Sequence, residues 1–339
     1  MNETTIEKKS NEKIRVLVTG AAGYLAIHCI EQLLKEGYTV RGTVRDANNL
    51  SKVQPLMDLI GAERLQLIDA DLLDEDIWPI AVKGCDYVLH IASPCQTVVD
   101  DSVISTAVDG TLNVLRAAAK CDTVKKVVLT SSTGAINHGY KEPHKIFNED
   151  DWTKLDGHYV HKYHLTVLNP GLIVGPLLQN NKGASAAIIS RFLDSTMIAI
   201  PTFKCGIVDI DDTAAAHVRA MRNPESDNQR ILVVASSMSF CQIAKILRKE
   251  FAPQGYYVPR LRAPFFLVRL YSLFDKETRE LVRLGEHIEY FDNSKAQRIL
   301  GINFKNPQTS LIEMCYDMIE RGVLPKKRKY RGRPQLQNS

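Results

Sequence analysis

The stretch IRVLVTGAAGYLAIHCIEQLLKEGYTV, residues 14–40, decides the fold. Ile14–Val18 is a short apolar run bounded by a turn, the pattern of a strand buried on both faces. Tyr24–Lys35 carries apolar residues at helical spacing, and Gly37 marks its stop. Val40 opens a second apolar run that ends at Val44. Between the first strand and the helix stands Thr19-Gly20-Ala21-Ala22-Gly23. Glycine at 20 permits a tight turn, and glycine at 23 allows the backbone to approach a ligand. Ala26 is small enough for close helix–strand packing. A helix N-terminus placed here offers N–H groups and a partial positive charge to a pyrophosphate.

Outward from that stretch the alternation continues. Val53–Ile60 predicts a short helix, and Ile104–Lys120 a long one. Leu65–Ile68, Tyr87–Ile91 and Val127–Leu129 predict strands. This is the rhythm of an α/β protein with a doubly wound parallel sheet of the Rossmann type. The second strand ends in Arg45-Asp46, with Lys52 one turn into the next segment. A cation at this strand end suits the 2′-phosphate of NADP(H), whereas an acid suits the 2′-hydroxyl of NAD. Arg45 and Lys52 favour NADP(H); Asp46 is the counter-argument.

After Val127–Leu129 the rhythm breaks. The next strand, Leu165–Leu168, leads into Asn169-Pro170-Gly171. The segment between them, residues 132–164, contains no amphipathic run of three turns, although parallel neighbours are usually joined by a crossover helix. One crossover helix is therefore expected to be missing. Beyond Pro176 the pattern loosens into a smaller C-terminal α/β substrate lobe. Helices are expected at Ala184–Leu193, Cys241–Phe251, Phe265–Phe274 and Leu311–Arg321, and strands at Gly206–Ile210 and Arg230–Val234. The expected organisation is a disordered tail over 1–12, an NADP-binding domain over 13–176 with a later return at about 206–235, a substrate lobe over 177–325, and a basic, solvated tail over 326–339.

Composition narrows the classes. The chain has 339 residues, 45% hydrophobic and 24% charged, with a formal net charge of +4. That charge is too small to imply a nucleic-acid partner. The seven cysteines are odd in number and show no C-x-x-C spacing, which speaks against disulfides and structural zinc. The N-terminus lacks the apolar core of a secretory signal, and the most apolar later stretch, Pro264–Phe274, is too short to span a bilayer. A cytoplasmic location with no membrane partner is the expectation.

VTGAAGYLA (18–26), GYTVRGTVRD (37–46), DADLLD (69–74), KGCDYVLHIASP (83–94), VDGTLNVLRAA (108–118), VVLTSSTGAI (127–136), LNPGLIVGP (168–176), VDIDDTAAAH (208–217) and DNSKAQRILG (292–301) run in order along the chain. Together they resemble an extended short-chain dehydrogenase/reductase of the NAD-dependent epimerase/dehydratase superfamily, in the dihydroflavonol reductase and cinnamoyl-CoA reductase-like group. The resemblance implies cofactor contacts at Gly20, Gly23, Tyr24 and Leu25 (phosphate turn), Arg45 and Lys52 (2′-phosphate), and Asp71 and Leu72 (adenine). It further implies Ile91, Ala92 and Ser93 beside the pyrophosphate and ribose, and Pro170 and Ile173 beside the nicotinamide. The implied reaction is hydride transfer to a small-molecule ketone or aldehyde, or from the alcohol.

In that family a serine binds the carbonyl oxygen, and a tyrosine acts as general acid with a lysine four residues on. Ser132 matches the serine and Tyr159 the tyrosine. The position for the lysine holds Tyr163, and Lys162 falls one residue early, about 100° away on a helix. Tyr140 and Tyr163 do no better, with His144 and Val167 at their own +4 positions. The missing lysine and missing helix coincide, as an internal deletion joined near 160–162 would produce. A splice form, a misplaced exon boundary or an evolved pseudoenzyme would each account for it. The expected activity is therefore impaired, and the alternative is a non-catalytic dinucleotide-binding protein. Family dimers use this helix together with the one matching Ile104–Lys120, so that interface is expected to be compromised. His158, His161 and His164, spaced three apart, leave a zinc reading open, but the expectation is no metal.

Overall fold

The computed structural model describes residues 11–94, 101–137, 145–152, 165–180, 183–274 and 290–334. Seven strands form the main sheet: β1 (Arg15–Val18), β2 (Thr39–Val44), β3 (Leu65–Asp69), β4 (Tyr87–His90), β5 (Lys126–Thr130), β6 (Leu165–Pro170) and β7 (Arg230–Val233). Their spatial order is β7-β6-β5-β4-β1-β2-β3, and every pairing is parallel. The chain runs outward one way from β1 and the other way from β4. The carboxyl ends of these two strands therefore form the switch point where open α/β sheets bind ligands.

Helices cover both faces. On one side lie α1 (Tyr24–Lys35) and, from later in the chain, residues Ile210–Arg222. Their apolar residues join Val16, Val18, Val128 and Leu168 in the larger core. On the other side, helices at Ile77–Val82 and Asp101–Lys120 enclose a second core around Leu17, Trp78, Val88, Val114, Leu115 and Val127. Successive residues of each strand thus serve opposite cores, which is why these strands are apolar throughout rather than alternating.

Several boundaries differ from the sequence expectation for local reasons. The helix expected at 53–60 runs from Leu50 to Met57, beginning after Asn49. The one expected from Leu311 starts at Pro307, where the Asn306 side chain accepts from the Gln308 N–H and proline occupies the first turn. The helix Phe240–Phe251 begins with a capping box between Ser239 and Gln242, legible as S-x-x-Q. Strand 230–233 joins the main sheet at its edge, while Lys204–Asp209 pairs with Leu172–Val174 and Ser236–Ser239 in a separate three-stranded sheet.

The basic residues of the C-terminal run, Lys326 to Lys329, Arg331 and Arg333, are exposed, and contacts at two positions accompany them. Tyr330 packs near Tyr316, with ring centroids 6.1 Å apart, and its hydroxyl donates to Glu320 at 3.1 Å. Arg333 pairs with Asp317.

Between β5 and β6 the described residues include only the one-turn helix Gly134–Asn137 and the segment 145–152. Under helix 210–222 the sheet residues Val128, Thr166 and Leu168 are buried. On the opposite face Leu129, Leu165 and Val167 are only half-buried.

Gly42 shows how tightly β2 is held. A Cβ there would lie 2.8 Å from the Ala21 Cβ and 3.0 Å from a Leu67 methyl. Gly42→Ala is expected to cost about 1–3 kcal/mol by overpacking. Urea unfolding of the variant beside the wild type measures this.

Candidate active site

The phosphate turn is built by three constraints. Gly20 sits at φ +68°, where a side chain is strained. A Cβ there would also meet the Ala92 Cβ at 3.0 Å, so the turn lies directly on the end of β4. Thr43, on β2, then ties the turn down: its Oγ1 accepts from the Gly20 N–H at 3.0 Å and its carbonyl from the Ala21 N–H at 2.8 Å. Gly23 donates to the Gly20 carbonyl at 2.7 Å and precedes α1 without a side-chain cap. The first-turn N–H groups of α1 thereby stay clear of any capping side chain, as an anion site requires.

Tyr24 and Leu25 are buried. The Tyr24 hydroxyl donates to the Gly175 carbonyl at 3.0 Å, and burial, reinforced by Asp209, pushes its phenol well up. Its ring therefore ties the start of α1 to the chain after β6. Gln179 adds a second tie by donating to the Ala22 carbonyl at 2.8 Å.

Arg45 ends β2 and Lys52 lies in the first turn of the following helix, both exposed. Neither forms an ion pair among the described residues. Asp46, the counter-argument, accepts from the Asn48 N–H at 2.9 Å and so caps its own loop. Asp71 accepts from the Leu73 N–H at 2.9 Å, and the Leu72 carbonyl accepts from Asn113 at 3.1 Å. Helix 101–120 reaches this loop through Gly110, whose Cβ would fall 2.7 Å from that of Leu72. Ile91 and Ala92 are half-buried and Ser93 exposed at the end of β4.

At the other end, Ser132 follows β5 and is exposed. Its Oγ accepts from the Gly134 N–H at 3.0 Å, and its carbonyl accepts from the fully buried Asn169 at 2.8 Å. The Thr133 N–H donates to the Pro170 carbonyl at 3.0 Å. Ser132 and Pro170 are thus brought together, with half-buried Ile173 just beyond on its own short strand. Tyr159 lies outside the described residues, as do Tyr140, His144, His158, His161, Lys162, Tyr163 and His164. Among the described residues no group of three or more His, Cys, Asp or Glu could hold a metal. No described helix is long and apolar enough to cross a membrane.

Thr19, Thr43, Asn169 and Gln179 are supporting residues that motif reading passed over. Thr19 and Asn169 carried a usable signal, a polar residue at the end of an apolar strand that burial obliges to find a partner. Gln179 carried none, since its partner is 157 positions away.

Comparison with known proteins follows this geometry. Residues 16–235 match the family described as "NAD dependent epimerase/dehydratase family". The chain is 37% identical to cinnamoyl-CoA reductase 1 of Petunia hybrida, covering 91% of this chain and 93% of that one. It is 30% identical to dihydroflavonol 4-reductase of Zea mays, covering 74% of this chain and 78% of that one. The petunia alignment extends over 336 positions while using 91% of a 339-residue chain, so a stretch of that relative has no counterpart here. Among solved structures, Gre2 of Candida albicans in complex with NADPH superposes with a TM-score of 0.72 at 25% identity, covering 91% of this chain and 99% of that one. Vestitone reductase of alfalfa superposes at 0.68 and 22% identity, covering 91% and 99%, and shows the same fold.

Two buried histidines brace this half of the sheet. His217 donates from Nδ1 to the Thr213 carbonyl and accepts from Thr130 at Nε2. His90 bonds Thr19 at the end of β1. Burial lowers both from 6.5 to about 4. The unfolded chain therefore binds more protons than the native one between those values, so native stability falls as pH drops from about 6.5 toward 4. Each histidine is expected to contribute up to about 3 kcal/mol to that fall. Urea midpoints at pH 7.0, 5.5 and 4.5 measure it; a flat profile would contradict the assignment.

Proposed function

Because the chain belongs to the NAD-dependent epimerase/dehydratase family, we propose that it binds NADPH at the β1–β4 switch point and is a carbonyl reductase weakened at its proton-transfer step. The observation that carries the cofactor assignment is the exposed Arg45 and Lys52 pair beside a glycine turn too tight to accept a Cβ. Gly20, Gly23 and the first turn of α1 suit the pyrophosphate. Asp71 and Leu72 border the adenine position, Ile91, Ala92 and Ser93 the pyrophosphate and ribose, and Pro170 and Ile173 the nicotinamide. Gre2 of Candida albicans, crystallised with NADPH, supports this reading. Replacing Arg45 and Lys52 together by alanine is expected to weaken NADPH binding about 10- to 100-fold, as loss of charge-assisted hydrogen bonds would, and to leave NADH binding nearly unchanged. Parallel fluorescence titrations test this.

Bound NADPH supplies a hydride. Ser132, fixed by Gly134 and Asn169, presents a hydroxyl to the carbonyl oxygen of a small ketone or aldehyde. Tyr159 is the candidate proton donor to that oxygen. A phenol of ordinary pKa about 10 needs a neighbouring cation to act near neutrality, and position 163 holds tyrosine instead of lysine. The half-buried Leu129, Leu165 and Val167, and a petunia alignment longer than the residues it uses, support an internal deletion of the helix that bore that lysine. Ile104 and Val108, 54% and 52% exposed on helix 101–120, support a compromised family dimer interface. The six described cysteines form no disulfide with one another.

NADPH-dependent carbonyl reduction is expected to fall roughly 10²–10⁴-fold below that of a form with the intact tyrosine–lysine pair. An activity assay run beside an NADPH titration separates this from a non-catalytic binding protein. Ordinary reductase activity would sink the impairment. Sequencing transcripts across codons 155–165 locates its origin.

A further inference from the structure

Thr19 is fully buried at the end of β1, and its hydroxyl has three close partners: the Ile91 N–H at 3.0 Å, the Ala92 N–H at 2.9 Å and His90 Nδ1 at 2.9 Å. A hydroxyl accepts two hydrogen bonds and donates one. Both backbone amides can only donate, so they occupy both acceptor sites. The hydroxyl proton must then point at His90 Nδ1, which is therefore unprotonated. In the neutral ring the proton resides on Nε2, directed at Thr111 Oγ1, 3.4 Å away on helix 101–120.

We propose that His90 is a positioning residue for the dinucleotide: as an obligate acceptor it sets the Thr19 hydroxyl rotor, which holds the Ile91 and Ala92 amides and so keeps the end of β4 against the Gly20 turn. This rests on the NADPH reading above. Ala92 is the residue that the missing Gly20 side chain would strike, so the distance between turn and strand end depends on these two amides. Burial, which lowers His90 to about 4, keeps the ring in its accepting form through the neutral range. A protonated Nδ1 would face a hydroxyl oxygen with no acceptor site left. Among the described residues the ring's other side-chain partner is Thr111, and no acid there competes for its proton.

His90→Phe keeps a ring but removes the acceptor, leaving a buried hydroxyl donor unsatisfied. His90→Asn restores an acceptor oxygen near the place of Nδ1. Thr111→Val removes only the outer partner. NADPH and adenosine 2′-monophosphate, which reaches only the adenine end, are titrated against each variant and the wild type. His90→Phe is expected to weaken NADPH about tenfold, in line with a lost buried hydrogen bond, and to leave adenosine 2′-monophosphate within about twofold. His90→Asn should recover most of the loss, and Thr111→Val should lose about two- to threefold. Unchanged NADPH binding in His90→Phe, equal loss for both ligands, or no recovery in His90→Asn overturns the proposal. Should His90→Phe fail to fold, Thr111→Val and His90→Asn decide it on the same comparison. A wild type that binds neither ligand overturns the cofactor reading as well, whereas a wild type that binds beside an unaffected His90→Phe overturns this inference alone.

Discussion

The contact between Gly20 and Ala92 governs what the rest of the molecule can do. Two strand ends meet there at a separation that leaves no room for one Cβ. Each neighbouring element is fitted to that contact. Thr43 anchors the turn from β2, Thr19 anchors the strand end from β1, and α1 starts where Gly23 lets the backbone fold back. The first turn of α1 carries no side-chain cap, which suits an anion, and the closeness of the contact leaves little tolerance to substitution.

Polar ties also join this turn and α1 to later parts of the chain. Tyr24 reaches Gly175, Gln179 reaches Ala22, and His28 bridges the Asp211 carboxylate and the Pro176 carbonyl. All three lie along α1 or the turn before it, so the helix that would face the phosphates is also fixed to the chain at the start of the expected substrate lobe. The His28 bond helps hold the Asp211 carboxyl below its ordinary range. Because these partners are fixed and largely buried, displacement of residues 175–179 would be felt at the phosphate turn through Ala22 and Tyr24.

The roles proposed for binding and for catalysis fall on different parts of the sheet. The binding half uses β1, β2 and β4 with their own crossover helices. The catalytic half depends on what joins β5 to β6. Ser132 is firmly placed by Gly134 and Asn169, whereas the partners proposed for it in proton transfer belong to the segment with the broken sequence pattern. Half-burial of Leu129, Leu165 and Val167 on that face contrasts with full burial of Val128 and Leu168 on the other. A parallel sheet ordinarily needs helices on both faces, and the proposed loss of a lysine-bearing helix would account for the thinner cover as well.

Much of this was legible from residue order. Strands β1 to β6, the glycine turn and the cations at 45 and 52 follow from apolar periodicity and from the few residue types a phosphate turn permits, both local properties of the chain. The absence of a Y-x-x-x-K spacing at Tyr159 is likewise a property of residue order alone. Helix starts at Leu50, Pro307 and Phe240 were less clear, since caps and apolar faces were read separately. Only the tertiary structure placed strand 230–233 on the edge of the main sheet, seated Tyr330 and Arg333 against the second lobe, and joined Thr19 to His90 and Gln179 to Ala22. Those contacts unite residues tens to hundreds of positions apart. Their hydrogen bonds depend on which buried atoms meet when the sheet closes, and no local pattern in the chain encodes that meeting.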